Sequence, residues 1–224
     1  MKRLLSHGLA ALASTLVAGL LAACGGGSSD NSPSTPAQHP ATSLSYTDPT
    51  GTGWRLVKQE GSTSTRIVLG LVGPASTTSR GVGFNLNVGR GAKFSTFADG
   101  GYAHDTGVFQ LKGSNPNFEP YAGTDADPVL FASRMKSERV LTTGIFQKDR
   151  SFSAKALTKP VVQIAIELDS ATGPSQGQLV GMAVLKARMI PDDIGGKNFT
   201  LDMETLAKAK MADVEIEVGK LVAN

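Results

Sequence analysis

The sequence predicts an all-β fold: an antiparallel β-sandwich of about nine strands with one short helix near the C-terminus. Three observations predict it. From Leu44 onward, short apolar runs alternate with polar turns, most of them at a period of two residues. Several runs are rich in β-branched residues and are bounded by Gly, Pro or Asp. Only one segment has the charge pattern of a helix. The length of residues 44–224 fits a single β domain.

The strands are predicted from two kinds of apolar pattern. Arg66–Val72 is a nearly continuous apolar run, as expected of a strand that is covered on both faces. Phe84–Val88 alternates strictly, which puts its apolar side chains on the core face. Val161–Leu168 has the strongest pattern, with β-branched residues between Pro160 and the turn-forming residues 169–178. The other candidates are shorter or less regular: Val108–Leu111, Val129–Met135, Val140–Gln147, Met182–Ile190 and Val214–Val222.

The C-terminal segments predict a bulge and the helix. In Val214–Val222 the alternation breaks at Gly219, which predicts a β-bulge. Residues 200–211 carry acidic side chains early and lysines late, which matches the helix dipole, with Thr200 as a candidate N-cap. Because they form no long apolar stripe, we expect a helix of about two to three turns.

The order of these strands resembles the cohesin-like jelly-roll sandwich. The resemblance rests on GVGFNLNV (81–88), RVLTTGIFQK (139–148), PVVQIAIELDSATG (160–173) and VEIEVGKLVAN (214–224), and it covers Thr65–Asn224. It implies an extracytoplasmic sandwich, and cohesins bind dockerin modules through one sheet face. No residue matches a dockerin-contact signature, so none is carried over. The Gly113–Pro128 loop and the N-terminal strands depart from the pattern.

The N-terminus has the three parts of a secretory signal. Two basic residues are followed by an apolar stretch, Gly8–Leu21, and then by small residues. Leu21-Ala22-Ala23-Cys24 resembles the lipobox of bacterial lipoproteins. The resemblance implies that the signal is cut between Ala23 and Cys24 and that Cys24 is lipidated. The other interpretation is an ordinary secretory signal with a chance cysteine.

A flexible linker is predicted directly after Cys24. Residues 25–43 contain no large apolar residue and are dominated by Gly, Ser and Pro, so they cannot bury enough surface to order themselves. Gly25 stands where Asp would retain a lipoprotein at the inner membrane, so the resemblance favours the outer membrane. The chain is thus divided into a signal peptide (1–23), a lipidated cysteine with its linker (24–43) and a β domain (44–224), with the membrane as a partner through the lipid anchor.

The composition excludes two classes of function. The formal net charge is +3, and two of those charges are Lys2 and Arg3 in the predicted signal. The remaining surface lacks the basic character that nucleic-acid binding needs. Cys24 is the only cysteine, which excludes an internal disulfide framework and any multi-cysteine metal site.

His104 is the one candidate for catalysis, because the other two histidines lie in the signal and the linker. Paired with Asp105 or another carboxylate and with a serine, it would form a nucleophilic triad. No G-x-S-x-G motif is present, and histidines in glycine-rich loops are common at surfaces. Nothing in the spacing of the acidic residues selects two of them for paired-carboxylate chemistry. We therefore expect no enzyme.

Asp125 and Asp127 are the candidate metal ligands, since they offer two loop carboxylates one residue apart, as calcium prefers. The third acid and the glycine of a calcium loop are missing, and Asp127-Pro128 is equally a simple turn. The glycine-rich segments 81–83 and 88–91 do not form a P-loop. No cofactor is expected, and a structural calcium is the weaker alternative.

Phe118 and Tyr121 are the candidate ligand-binding residues. They lie in a long loop, where aromatic side chains can stack on a sugar or contact a protein. The sequence therefore predicts a lipid-anchored, non-catalytic sandwich that binds an extracytoplasmic protein or glycan. Two alternatives stay open: an envelope hydrolase that uses His104, and a structural or assembly lipoprotein with no ligand of its own. The aromatic residues in apolar patterns are assigned to the core: Trp54, Phe84, Phe109 and Phe146.

Overall fold

Strands dominate the computed structural model, which describes residues 38–106, 108, 129–147, 154–191 and 211–224. Within these ranges the only helical segment is a 3₁₀ turn at Ser170–Thr172, and no helix is long and apolar enough to cross a bilayer. The described residues form fifteen strands: β1 Leu44–Thr47, β2 Trp54–Lys58, β3 Arg66–Val72, β4 Thr78–Val88, β5 Ala92–Ser95, β6 Ala103–Asp105, β7 Val129–Ser137, β8 Val140–Gln147, β9 Lys155–Ala156, β10 Val162–Leu168, β11 Gln178–Val180, β12 Met182–Pro191, β13 Ala212–Asp213, β14 Ile216–Glu217 and β15 Lys220–Ala223.

Two sheets form the sandwich. The first sheet has the order β14-β2-β3-β10-β5, with β6 also paired to β10. The second sheet has the order β13-β12-β4-β8-β7, with β9 also paired to β4. Within each of the two sheets, neighbouring described strands are antiparallel, except for the parallel pair β14–β2. The predicted all-β sandwich is confirmed.

The core lies between the two sheets because their strands alternate apolar and polar side chains. In β4, Phe84, Leu86 and Val88 are buried, as the alternation predicts. In β3 every residue after Arg66 is buried, as expected of a strand covered on both faces. Trp54 at the start of β2 is also buried in this core, as assigned from the sequence.

A third, small sheet of order β1-β15-β11 joins the two ends of the described body. Leu44 pairs with Ala223, and the preceding residues continue the contact: the amides of Thr42 and Ser43 donate to the carbonyl of Asn224 at 2.6 and 2.7 Å. Residues 38–43, which composition assigns to the linker, are thus hydrogen bonded to the domain, and the compact unit extends over Gln38–Asn224.

Tyr46 fastens this third sheet to the first. Its buried hydroxyl donates to the carbonyl of Leu56 at 2.8 Å and accepts from the amide of Gly219 at 2.6 Å. Burial raises the pKa of Tyr46 to about 12. Gly219 must be a glycine, because a Cβ there would collide with the carbonyl of Thr47 and the ring of Tyr46.

Arg139 connects the two large sheets. It lies in the turn between β7 and β8 and donates to the carbonyls of Gly89 and Ala92 at 2.8 and 2.7 Å. Its third partner is the buried carboxylate of Asp169, just beyond β10, at 3.1 Å. Gly89 follows β4, Ala92 begins β5 and Asp169 follows β10, so the guanidinium joins the second sheet to the first at one end of the sandwich.

The prediction for Val214–Val222 is wrong in one respect. This segment is not one bulged strand: β14 pairs with β2 in the first sheet, and β15 pairs with β1 and β11 in the third. Gly219 lies at the break, where the chain passes from one sheet to the other. The predicted helix at residues 200–211 and the strand Val108–Leu111 lie outside the described residues, apart from Met211 and Val108.

Candidate functional site

A groove with a volume of about 400 Å³ crosses the outer face of the second sheet. Its shape follows from the strand register, because residues paired across neighbouring strands form rows that run perpendicular to the strands. Three successive rows of outward-facing residues make its floor and its two walls.

The floor of the groove is a row almost without side chains. Register places Ala132 of β7, Gly144 of β8 and Gly83 of β4 side by side, with Arg188 of β12 at the end. Three adjacent positions therefore project at most one methyl group above the sheet. The depression exists because these residues are small.

The apolar wall is formed by Phe146 and Met211. The Phe146 ring lies across the glycines of β4 and β8, since a Cβ on Gly144 would come within 2.8 Å of its Cε2 and one on Gly83 within 3.2 Å of its Cζ. Phe146 is 6% exposed, so only part of the ring faces the groove. Phe146 is buried, as assigned from the sequence, but on the face of the sheet opposite to Ile145.

The opposite wall is polar and positively charged at both ends. Here Arg134, Thr142, Asn85 and Lys186 pair in one row across β7, β8, β4 and β12. Arg134 and Lys186 are exposed, and neither forms an ion pair within the described ranges. The hydroxyl of Thr142 is buried and has no hydrogen-bond partner among the residues that the structure describes. We call these four residues the cationic row.

Arg188 closes one end of the groove through an ion pair. Its Nε lies 2.9 Å from Oδ1 of Asp213, and both side chains are exposed. Such an exposed pair contributes little to stability. Of the three cations in the described lining, Arg188 is therefore paired, whereas Arg134 and Lys186 have no ion-pair partner among the described residues.

Leu185 projects beside the cationic row. The register of β12 with β4 shifts between Val184 and Lys186, and the extra residue of this bulge is Leu185. It is 58% exposed, one of two large apolar side chains that the described part of the chain leaves in solvent. The other, Leu179 in β11, is 61% exposed and belongs to the third sheet.

Two solved structures to which the chain is similar are cohesin modules. One is a cohesin module from a family 33 glycoside hydrolase of Clostridium perfringens, with 10% identity, a TM-score of 0.36, and 79% of this chain and 98% of that chain covered. The other is the sixth cohesin of scaffoldin B from Acetivibrio cellulolyticus in complex with a Cel5 dockerin mutant, with 11% identity, a TM-score of 0.40, and 75% and 99% covered. The chain matches no protein-family profile and no curated protein. The assignment of a sandwich rests on the strand pairing rather than on these alignments.

Most of the site residues that the sequence predicts lie outside the described ranges. They are the lipidation and cleavage residues Ala23 and Cys24, the loop aromatics Phe118 and Tyr121, and the candidate calcium ligands Asp125 and Asp127. They stay predictions. Within the described ranges, no group of three or more His, Cys, Asp or Glu side chains is arranged to hold a metal ion.

His104 lies in β6, at the edge of the first sheet, and its observed carboxylate partner is not Asp105. Its Nε2 lies 2.8 Å from Oδ1 of Asp99, and its ring stacks on Phe97 with the centroids 4.0 Å apart. The hydrogen bond from His104 lowers the pKa of Asp99, and the amide of Gly101 lowers it further. Strand alternation directs Asp105 to the opposite face, where it is buried. This arrangement orders the loop between β5 and β6.

The groove itself was not predicted from the sequence. Two features of the sequence indicate it. Positions 81 and 83, which face outward in the alternating strand β4, are glycines. On β12, Lys186 and Arg188 lie on either side of the buried Ala187. The described lining contains no histidine and no carboxylate, and its residues can bind a ligand by apolar and ionic contact.

Proposed function

We propose that the chain is a non-catalytic binding module, held at the cell envelope by a lipid on Cys24, that binds a protein partner at the groove of the second sheet. The observation that carries the proposal is the groove itself, with Leu185 exposed beside it. Concave surfaces next to exposed apolar side chains are typical of interaction sites.

The chemistry of the groove favours a protein over a glycan. Sugar rings stack on exposed aromatic faces, whereas the two aromatic residues in the described lining, Phe84 and Phe146, are buried. The groove has an apolar floor, two cations without an ion-pair partner among the described residues, and a leucine exposed at a β-bulge beside it. Together they match a protein segment that carries both apolar and acidic groups.

The lipid anchor is supported by residues 21–24, which resemble a lipobox. The compact unit starts at Gln38, and residues 38–43 are held by Asn224 and Pro174. Residues 25–37 would then be the tether, and a flexible Gly/Ser-rich chain of that length spans roughly 20 Å on average. Such a tether keeps the domain close to the membrane while leaving it free to turn.

The test of the binding surface compares two equally exposed leucines. The lipidated full chain is expressed with a purification tag, and envelope proteins that co-purify are compared for the wild type, Leu185→Ser and Leu179→Ser. We expect a partner that is retained by Leu179→Ser and lost with Leu185→Ser, because only Leu185 lies beside the groove. Ala132→Trp, which fills the groove from an exposed position, should also lose it.

Two outcomes would contradict the proposal. If every co-purifying protein is retained by both Leu185→Ser and Ala132→Trp, the groove is not the binding surface. If Cys24→Ser still incorporates labelled acyl chains and stays in the membrane fraction, Cys24 is not the anchor. Each part can therefore fail without the other.

A further inference from the structure

We infer that the groove takes a short extended segment of the partner that carries carboxylates along one edge and an apolar side chain along the other. This inference rests on the proposed function and names the chemistry of its ligand. It follows from the difference between the two walls of the groove.

The two walls select opposite edges of the same segment. Phe146 and Met211 offer only carbon and sulfur surface on one side. On the other side, Arg134 and Lys186 mark the two ends of the cationic row and have no ion-pair partner in the described ranges. Carboxylates of a ligand are the groups that both cations lack, while an apolar side chain covers the opposite wall.

The spacing of the cations sets the length of the segment. Arg134 and Lys186 lie at the ends of a row of four strands, so about three strand spacings of 4.8 Å, or roughly 14 Å, separate their Cα atoms. An extended chain advances about 3.4 Å per residue, so about four residues bridge them. Two carboxylates near the ends of such a segment would reach one cation each.

The floor of the groove adds apolar surface. The Phe146 ring covers Gly83 and Gly144, so the apolar side chain of the segment packs against the edge of this ring and the exposed Ala132 rather than against the strand backbone. The hydroxyl of Thr142 is buried and has no hydrogen-bond partner among the described residues, so it would have to turn toward the groove before it could bond to a ligand. The third cation, Arg188, is already paired with Asp213, so we do not expect it to bind a carboxylate of the ligand.

The experiment uses the full chain and three fluorescently labelled peptides of equal length. The first carries a tryptophan flanked by glutamates, the second a tryptophan flanked by glutamines, and the third an alanine flanked by glutamates. Binding is measured by fluorescence anisotropy for the wild type and the double variant Arg134→Gln/Lys186→Gln. The control is the double variant Lys58→Gln/Lys220→Gln, which removes two exposed lysines from other sheets.

We expect the glutamate–tryptophan peptide to bind best and the other two to bind more weakly. Removing both cations of the row should weaken it about tenfold, whereas the control variant should leave it unchanged. Raising NaCl from about 0.05 to about 0.5 M should also weaken binding of this peptide to the wild type about tenfold, and should change binding to Arg134→Gln/Lys186→Gln little.

The failures of the inference and of the function are distinguishable. If the glutamine–tryptophan peptide binds equally well and Leu185→Ser weakens both peptides, the groove binds protein segments but the acidic preference is refuted. If none of the three peptides binds, the inference is overturned, and the function is decided by the envelope partner of the Leu185 and Leu179 comparison.

Discussion

Tyr46 offers the sharpest test of how the third sheet is attached, through the substitution Tyr46→Phe. The change keeps the ring and removes only the hydroxyl that joins the Leu56 carbonyl to the Gly219 amide. A buried carbonyl left without a partner costs about 1–3 kcal/mol. Gly219 is half-buried, so its amide can regain water and adds less. We expect a loss of about 2–3 kcal/mol in the free energy of unfolding, with no cavity contribution.

The assay is urea unfolding of the full chain, followed through the single tryptophan, Trp54, which is buried in the core. For a domain of this size the same loss lowers the melting temperature by roughly 5–10 °C. The control is Tyr102→Phe, because Tyr102 is half-buried and its hydroxyl makes no hydrogen bond within the described residues. If Tyr46→Phe unfolds at the same urea concentration as Tyr102→Phe, the two hydrogen bonds do not hold the sheets together and the reasoning fails.

Three further predictions use the same unfolding assay. Arg139→Ala leaves the buried Asp169 carboxylate without its cation and should cost about 3 kcal/mol; a loss below about 1 kcal/mol would show that water replaces the guanidinium. Gly219→Ala should lower the free energy of unfolding by more than about 2 kcal/mol. Gly181→Ala is the control: its added methyl group meets no atom within 4 Å, so the change should be less than about 0.5 kcal/mol. Equal effects would contradict the close contact of Gly219 with Thr47 and Tyr46. Because the pKa of Tyr46 is raised to about 12, the folded state holds its proton after the unfolded chain has lost it. Stability should therefore fall by about 1.4 kcal/mol per pH unit from pH 10 to 12, and a Tyr46→Phe variant with the same alkaline slope would refute this origin.

The fold could be predicted because its signals are local. Strict alternation in Phe84–Val88 and the continuous apolar run of Arg66–Val72 each contain, within one strand, the information about which faces are buried. Val214–Val222 has the same alternation, yet it is divided between two sheets. This division could not be predicted, because the residues that crowd Gly219 at the break are Thr47 and Tyr46, which are distant in sequence.

The groove could not be predicted because it is a property of register. Ala132, Gly144 and Gly83 come from three strands and form one row only when β7, β8 and β4 pair as they do. The apolar character of Phe146 predicted burial correctly, but glycines on neighbouring strands provided a place for the ring on the outer face. Predictions from linear motifs, such as lipidation of Cys24, need no register and stay untested by the described residues.

The pairing of β1 with β15 also decides how the domain would carry mechanical load. If a membrane tether pulls at Gln38 while a partner holds the second sheet, the tension enters through the bonds of Thr42 and Ser43 to Asn224 and passes into β1. The hydrogen bonds between β1 and β15 are perpendicular to the strands, so a pull along β1 strains its four residue pairs together, in shear, instead of opening them one after another. The attachment therefore resists force as a unit.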